Sequence, residues 1–161
     1  MKKIKTLVSL SEIIKKAKEQ KKIIVFTNGC FDLFHYGHLI SLVEAGKHGD
    51  ILIVGINSDS SIKKLKGNGR PVFSQKERAG IVCGLRCVDY CVVFNESTPA
   101  KVIKTLKPDI IAKGADYKKE DVVGYDFVEK YGGKIVLLPL VKGISTSEII
   151  KKIKNEDIEN N

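Results

Sequence analysis

The chain has 161 residues, 43% of them hydrophobic and 29% charged, the composition of a globular domain with a single core and far from that of a disordered chain. No run of about eighteen apolar residues occurs, and the Lys-rich N-terminus has no apolar stretch behind it, so no helical membrane span and no signal peptide are expected and the reading is a cytoplasmic protein. Twenty-eight Lys and Arg against 19 Asp and Glu leave a net charge of +9, which favours a polyanionic partner.

In chain order, Ser9-Leu10-Ser11-Glu12 has the spacing of a capping box, and Ile13, Ile14 and Ala17 follow at helical spacing. A helical extension over about 9–21 is therefore expected ahead of the first strand. Ile23-Ile24-Val25-Phe26 reads as that strand and runs into Thr27-Asn28-Gly29-Cys30-Phe31-Asp32. His35-Tyr36-Gly37-His38 then stands at the entrance of a helix carrying Leu39, Ile40, Leu42, Val43 and Ala45 and stopping around Gly46 to Gly49. Ile51 to Gly55 reads as a buried second strand, reached by a right-handed crossover. The polar, basic and glycine-containing stretch from Asn57 to Phe73 reads as a mobile loop.

A helix from about Gln75 to Leu85, a strand from Tyr90 to Phe94, a helix from Pro99 to Leu106 and a short strand from Ile110 to Ala112 follow. The pattern closes with a helix near Tyr125 to Tyr131, a strand from Lys134 to Leu138 and a helix beginning near Ser145. Strands alternating with helices predict an α/β fold, a single-domain Rossmann-like doubly wound parallel sheet spanning 1–161. Ligands on such sheets bind beyond the carboxyl ends of the strands, at the switch point. Thr27 to His38, Asn57 to Arg70, Lys113 to Tyr117 and Lys142 to Thr146 all follow expected strands and converge on one cleft.

Cys30, Cys83, Cys87 and Cys91 contain no Cys-x-x-Cys pair, so they read as structural thiols, and no metal ligands are assigned. The lysines of the terminal helices read as solvated faces, and without interleaved aromatics they give no reason to expect nucleic acid. Neither a Gly-x-Gly-x-x-Gly after the first strand nor a P-loop is present, which argues against dehydrogenase and P-loop kinase chemistry.

Two imidazoles separated only by Tyr36 and Gly37 at a helix entrance are placed to address one phosphoryl group, where unpaired N–H groups and the helix dipole already attract anions. A single His in such a place is more often a satisfied, partly buried polar residue; the pair in this context points to phosphoryl chemistry. Gly37 admits a close backbone approach. Ser145 and Glu148 form a second capping-box pattern, whose helix amides are compatible with phosphate binding.

Thr27 to His38, Asn57-Ser58-Asp59, Leu65-Lys66-Gly67 with Arg70-Pro71-Val72, Lys107-Pro108-Asp109 and Lys113-Gly114-Ala115-Asp116-Tyr117 together resemble the nucleotidylyltransferases with a His-x-Gly-His motif, of the cytidylyltransferase-like type. The His motif identifies only the superfamily; the later stretches resemble the branch that acts on heptose 1-phosphate. The resemblance implies AMP transfer from ATP, with Mg²⁺, to a sugar 1-phosphate, and a homodimer. It implies His35, His38 and Lys66 as catalytic, with Thr27, Asn28, Gly29, Phe31, Asp32, Gly37, Lys113, Asp116, Ser145, Thr146 and Ser147 around the nucleotide. Lys64, Arg70 and Arg78 are implied on the phosphates or acceptor.

Asp32 equally suits a turn cap, and Arg78 a helix-surface salt bridge. Many members have an arginine where this chain has Leu140-Val141-Lys142, and a second glycine where Ala115 stands. A glycerol 3-phosphate cytidylyltransferase, or another nucleotidylyltransferase acting on a phospho-alcohol, is the alternative within the enzyme class. A noncatalytic nucleotide- or nucleic-acid-binding module is the alternative outside it.

Overall fold

A computed structural model describes residues 2–159. Five parallel strands form one sheet: β1 (Ile24–Gly29), β2 (Ile51–Asn57), β3 (Tyr90–Phe94), β4 (Ile110–Gly114) and β5 (Lys134–Leu138), in the order β3-β2-β1-β4-β5. The chain winds outward from β1 through β2 to β3, then crosses back to β4 on the other side of β1. The switch point therefore lies at the carboxyl ends of β1 and β4.

The described residues form seven α-helices, α1 (Leu7–Glu19) ahead of the sheet, α2 (Tyr36–Gly46), α3 (Asp59–Lys66), α4 (Gln75–Gly84), α5 (Ala100–Leu106) and α6 (Tyr125–Glu129) between strands, and α7 (Thr146–Glu159) after β5. Successive strand residues point to opposite faces, and two buried clusters divide accordingly. Ile24, Phe26, Ile51 and Ile53 meet α1, α5 and α6 on one face, whereas Val25, Leu52, Val54 and Ile56 meet α2 and α4 on the other. At the β3 edge, the Lys5 N–H donates to Cys91 O at 2.9 Å and the Cys91 N–H to Lys3 O at 3.1 Å, so the N-terminal segment pairs with an edge that would otherwise be open.

The first helix begins at Leu7, ahead of the expected capping box. Thr6 is its N-cap and its Oγ1 accepts the Ser9 N–H at 3.2 Å; Ser9 lies inside the first turn and its hydroxyl donates back to Thr6 O. Leu10, Ile14 and Ala17 are buried, and the Lys18 ammonium lies 3.3 Å from Asp109, so this helix belongs to the core.

The stretch expected as a loop from Asn57 to Phe73 instead contains α3. Ser58 Oγ accepts the Ser61 N–H at 3.2 Å as its cap, and Ile62 is fully buried. One buried aliphatic residue in Asp59–Lys66, with Leu65 left exposed, gives too weak a periodicity to identify a helix. The strand β4 also runs two residues further than expected and includes Lys113.

Candidate active site at the β1/β4 switch point

Between β1 and α2 the chain makes an unusual turn. Phe31 and Leu33 both have left-handed backbones, φ 50° and 46°, a conformation that costs non-glycine residues on the order of 1–3 kcal/mol each and persists only where its surroundings hold it. Asp32, between them, supplies that hold. Its carboxylate is buried and accepts the Val72 N–H at 3.0 Å and the Phe73 N–H at 3.0 Å. Arg70 Nε lies 2.9 Å from Asp32 Oδ2, but its N–H is not directed along that contact, so the pair is held by charge attraction more than by a hydrogen bond. The main-chain carbonyl of Asp32 accepts the Thr146 hydroxyl at 2.9 Å, docking the start of α7 onto the same turn.

Arg78 completes this scaffold. It is fully buried on α4, and four of its five N–H groups donate to Phe73 O at 3.0 Å, Cys30 O at 2.6 Å, Asn57 O at 2.8 Å and Asp59 Oδ1 at 2.9 Å. A rigid guanidinium with five donors is suited to tying three segments together, the β1–α2 turn, the β2–α3 junction and the chain just ahead of α4. The expected phosphate contact and the expected surface salt bridge both give way to this buried junction.

The turn delivers the two imidazoles. His35 is the N-cap of α2, and its N–H donates to His38 Nδ1 at 3.4 Å. With Nδ1 acting as acceptor, the neutral His38 ring carries its proton on Nε2. The rings stack with centroids 3.8 Å apart and 21° between planes, and Phe31 meets His38 edge-on at 5.4 Å. Burial above all, then the positive fields of His35 and Lys66, push His38 down to about 4 against the opposing pull of Asp32. Burial also lowers His35. Both imidazoles are therefore uncharged at neutral pH, and each is a neutral donor beside the N-terminus of α2.

In front of them lies a cleft with two adjoining lobes of about 440 and 400 Å³. Asn28, Gly29, Phe31, His38, Lys66 and Lys113 line both. Thr27, His35, Gly37 and Asp116 line the smaller lobe, while Thr146 and the edge of Asp32 reach the larger. Lys113 Nζ donates to Asn28 O at 3.1 Å, and burial pushes its ammonium down to about 8, partly offset by Asp116 and Cys30. Asn28 Oδ1 and His35 Nδ1 are buried without a partner among the described residues.

The cleft gathers most of the expected residues. Lys64, Arg70, Arg78, Ser145 and Ser147 do not line it: Arg70 and Arg78 face the scaffold, and Ser145 Oγ accepts the Glu148 N–H at 3.2 Å as a cap. Ser97, Thr98 and Pro99, which line the larger lobe, escaped the sequence reading. They follow β3, so the rule that selected the other post-strand segments also points to them.

The fold and site define a doubly wound α/β domain with an anion-attracting cleft at its switch point. Residues 26–152 match the model of the cytidylyltransferase-like family, and the chain belongs to that family. It is 51% identical over 151 residues to the bifunctional protein HldE of Syntrophotalea carbinolica, covering 94% of this chain and 31% of that protein. To the bifunctional protein HldE of Helicobacter pylori it is 51% identical over 148 residues, covering 92% and 31%. The chain thus spans about a third of the length of the curated relatives it matches.

Among solved structures it is similar to a lipopolysaccharide core biosynthesis protein from Thermoplasma volcanium, at 29% identity and TM-score 0.61, covering 76% of this chain and 99% of that one. A pantoate-beta-alanine ligase from Francisella tularensis shares the fold, with TM-score 0.62 at 15% identity over 98% of this chain and 79% of that one.

Proposed function

We propose that this chain transfers AMP from ATP to a heptose 1-phosphate, giving ADP-heptose and pyrophosphate. The observation that carries the reading is the stacked His35–His38 pair, with the His38 tautomer set by the His35 N–H, His38 lining both lobes and His35 the smaller one. Two lobes suit a reaction that joins two phosphorylated molecules. The Lys113-Gly114-Ala115-Asp116-Tyr117 and Arg70-Pro71-Val72 stretches, the similarity to HldE proteins and the likeness to a lipopolysaccharide core biosynthesis protein all favour a sugar phosphate as acceptor.

An oxygen of the sugar phosphate attacks the α-phosphorus of ATP, the bond from that phosphorus to the β-phosphate bridging oxygen breaks, and pyrophosphate leaves. The acceptor's second pKa of roughly 6 leaves it dianionic at neutral pH, so the site needs no strong base. Its work is alignment and stabilisation of the charge that moves to the leaving group. His38 Nε2–H and the His35 ring donate to phosphate oxygens, each such donor contributing about 3–4 kcal/mol. Asn28 Oδ1 is an acceptor for a ribose hydroxyl or a base amine, and the smaller lobe beside Gly37 and Asp116 takes the nucleotide.

Mg²⁺ enters as part of the MgATP substrate; no group of three His, Cys, Asp or Glu side chains is placed to hold a metal among the described residues. No helix of the described residues is long and apolar enough to cross a membrane. A homodimer belongs to the same proposal.

The test is pyrophosphate release with ATP, CTP and GTP against heptose 1-phosphate and glycerol 3-phosphate. ATP with heptose 1-phosphate is the productive pair on this reading. Turnover confined to CTP with glycerol 3-phosphate overturns it.

A further inference from the structure

Two anions must approach each other in this cleft if the reading above holds, and in the ligand-free protein burial lowers both imidazoles, so neither brings a standing positive charge to meet them. The positive charge has to come from elsewhere on the walls. Lys66, at the exposed end of α3, is one source. The other cation lining both lobes is Lys113, the penultimate residue of β4.

Lys113 has no evident structural purpose as a cation. Its ammonium makes one hydrogen bond, to Asn28 O, and lies 5.6 Å from the centroid of the Tyr117 ring; the ion pairs among the described residues do not include it. Withdrawing an ammonium from water without a carboxylate at contact distance is costly. An aliphatic side chain at this strand position would pack beside Tyr117 without that cost. An ammonium that keeps two of its three N–H groups unengaged on the wall between two lobes is suited to receiving phosphate oxygens.

We infer that Lys113 is a substrate-binding cation shared by the two reactants, holding the phosphate chain from the β4 side of the cleft while Lys66 faces it from the α3 side. This inference rests on the proposed nucleotidyl transfer and goes past it. It gives the Lys113 side chain the phosphates, whereas the family resemblance places this segment beside the base and ribose. Since burial brings the ammonium down to about 8, its grip weakens as pH rises through that value. The other titratable groups around it are Asp116 and Tyr117 on its own segment, Cys30 and Asp32 on the β1–α2 loop, and His35, His38 and Lys66 across the cleft.

The experiment is calorimetric binding of MgATP, and separately of magnesium pyrophosphate, to the full chain and to Lys113→Met, Lys113→Arg and Cys30→Ser. It is run at about pH 7 and about pH 9.5, on either side of the Lys113 titration. Wild type is expected to lose affinity by about tenfold or more at the higher pH, as a charge-assisted hydrogen bond is lost. Lys113→Met is expected to bind that much more weakly at both pH values, with no drop between them. Lys113→Arg, whose guanidinium stays charged throughout, is expected to keep its affinity at both, and Cys30→Ser to keep the wild-type drop.

A residue that merely ties β4 to β1 through Asn28 O would lower the melting temperature in Lys113→Met and leave the pH dependence in place, which overturns the inference. A drop that disappears in Cys30→Ser overturns it as well. If wild type binds neither probe, the proposed function itself fails; if wild type binds and Lys113→Met matches it at both pH values, only the role of Lys113 fails.

Discussion

The His35 N–H and His38 Nδ1 are 3.4 Å apart, and that one contact fixes which nitrogen of His38 carries a proton. Combined with the burial that holds His38 at about 4, it makes the ring a neutral donor across the physiological range.

The sign of the resulting pH dependence follows directly. The folded-state value lies below the ordinary 6.5, so the unfolded chain binds this proton more readily. The His38 contribution to stability is complete above about 6.5 and is lost as pH falls toward about 4. Imidazole NMR of the ligand-free protein is expected to show His38 titrating near 4, with the Nε2–H tautomer at pH 7. Titration between 6 and 7 contradicts the assignment.

Gly37 separates catalysis from folding. It is the second residue of α2, and alanine, the better helix former, is not expected to weaken the helix there. A Cβ there would stand 3.0 Å from His35 Cε1 and 3.1 Å from His35 Nδ1, so the ring has to shift. Gly37→Ala is expected to keep or raise the melting temperature while lowering kcat about tenfold or more, because a misplaced donor loses much of its value. Equal kcat would show that the position of His35 is immaterial.

Arg78 offers the opposite separation. Removing a buried guanidinium leaves Asp59 and three carbonyls without their donor, which costs about 3–5 kcal/mol. Arg78→Met is expected to lower the unfolding free energy, read from denaturant titration, by that amount. Arg78→Lys is expected to recover little, since an ammonium does not reproduce the four-bond junction. A variant of wild-type stability that binds MgATP poorly would return Arg78 to the phosphates.

Much of this arrangement was legible in the residues because it depends on short-range patterns. The apolar strands, the helix entrance at His35 and the rule that ligands sit beyond strand ends placed His35, His38, Lys66 and Lys113 around one cleft. The tertiary scaffold was not legible. Asp32 binds Val72 and Phe73, some forty residues away, and no local pattern announces such a contact. Arg78, three positions into a helix and expected on the phosphates or in a helix-surface salt bridge, is fully buried, where carbonyl groups of remote segments meet it. The left-handed turns at Phe31 and Leu33 were equally hidden, as neither residue is a glycine.

The account stands most directly on one comparison of rates. Pyrophosphate release from MgATP and heptose 1-phosphate is measured for wild type and for His38→Ala, after equal melting temperatures have been established. The expected result is turnover by wild type and a variant slower by about a hundredfold or more, the loss typical of one preorganised donor. Equal rates, with both proteins folded, would contradict the central role given to the imidazole pair.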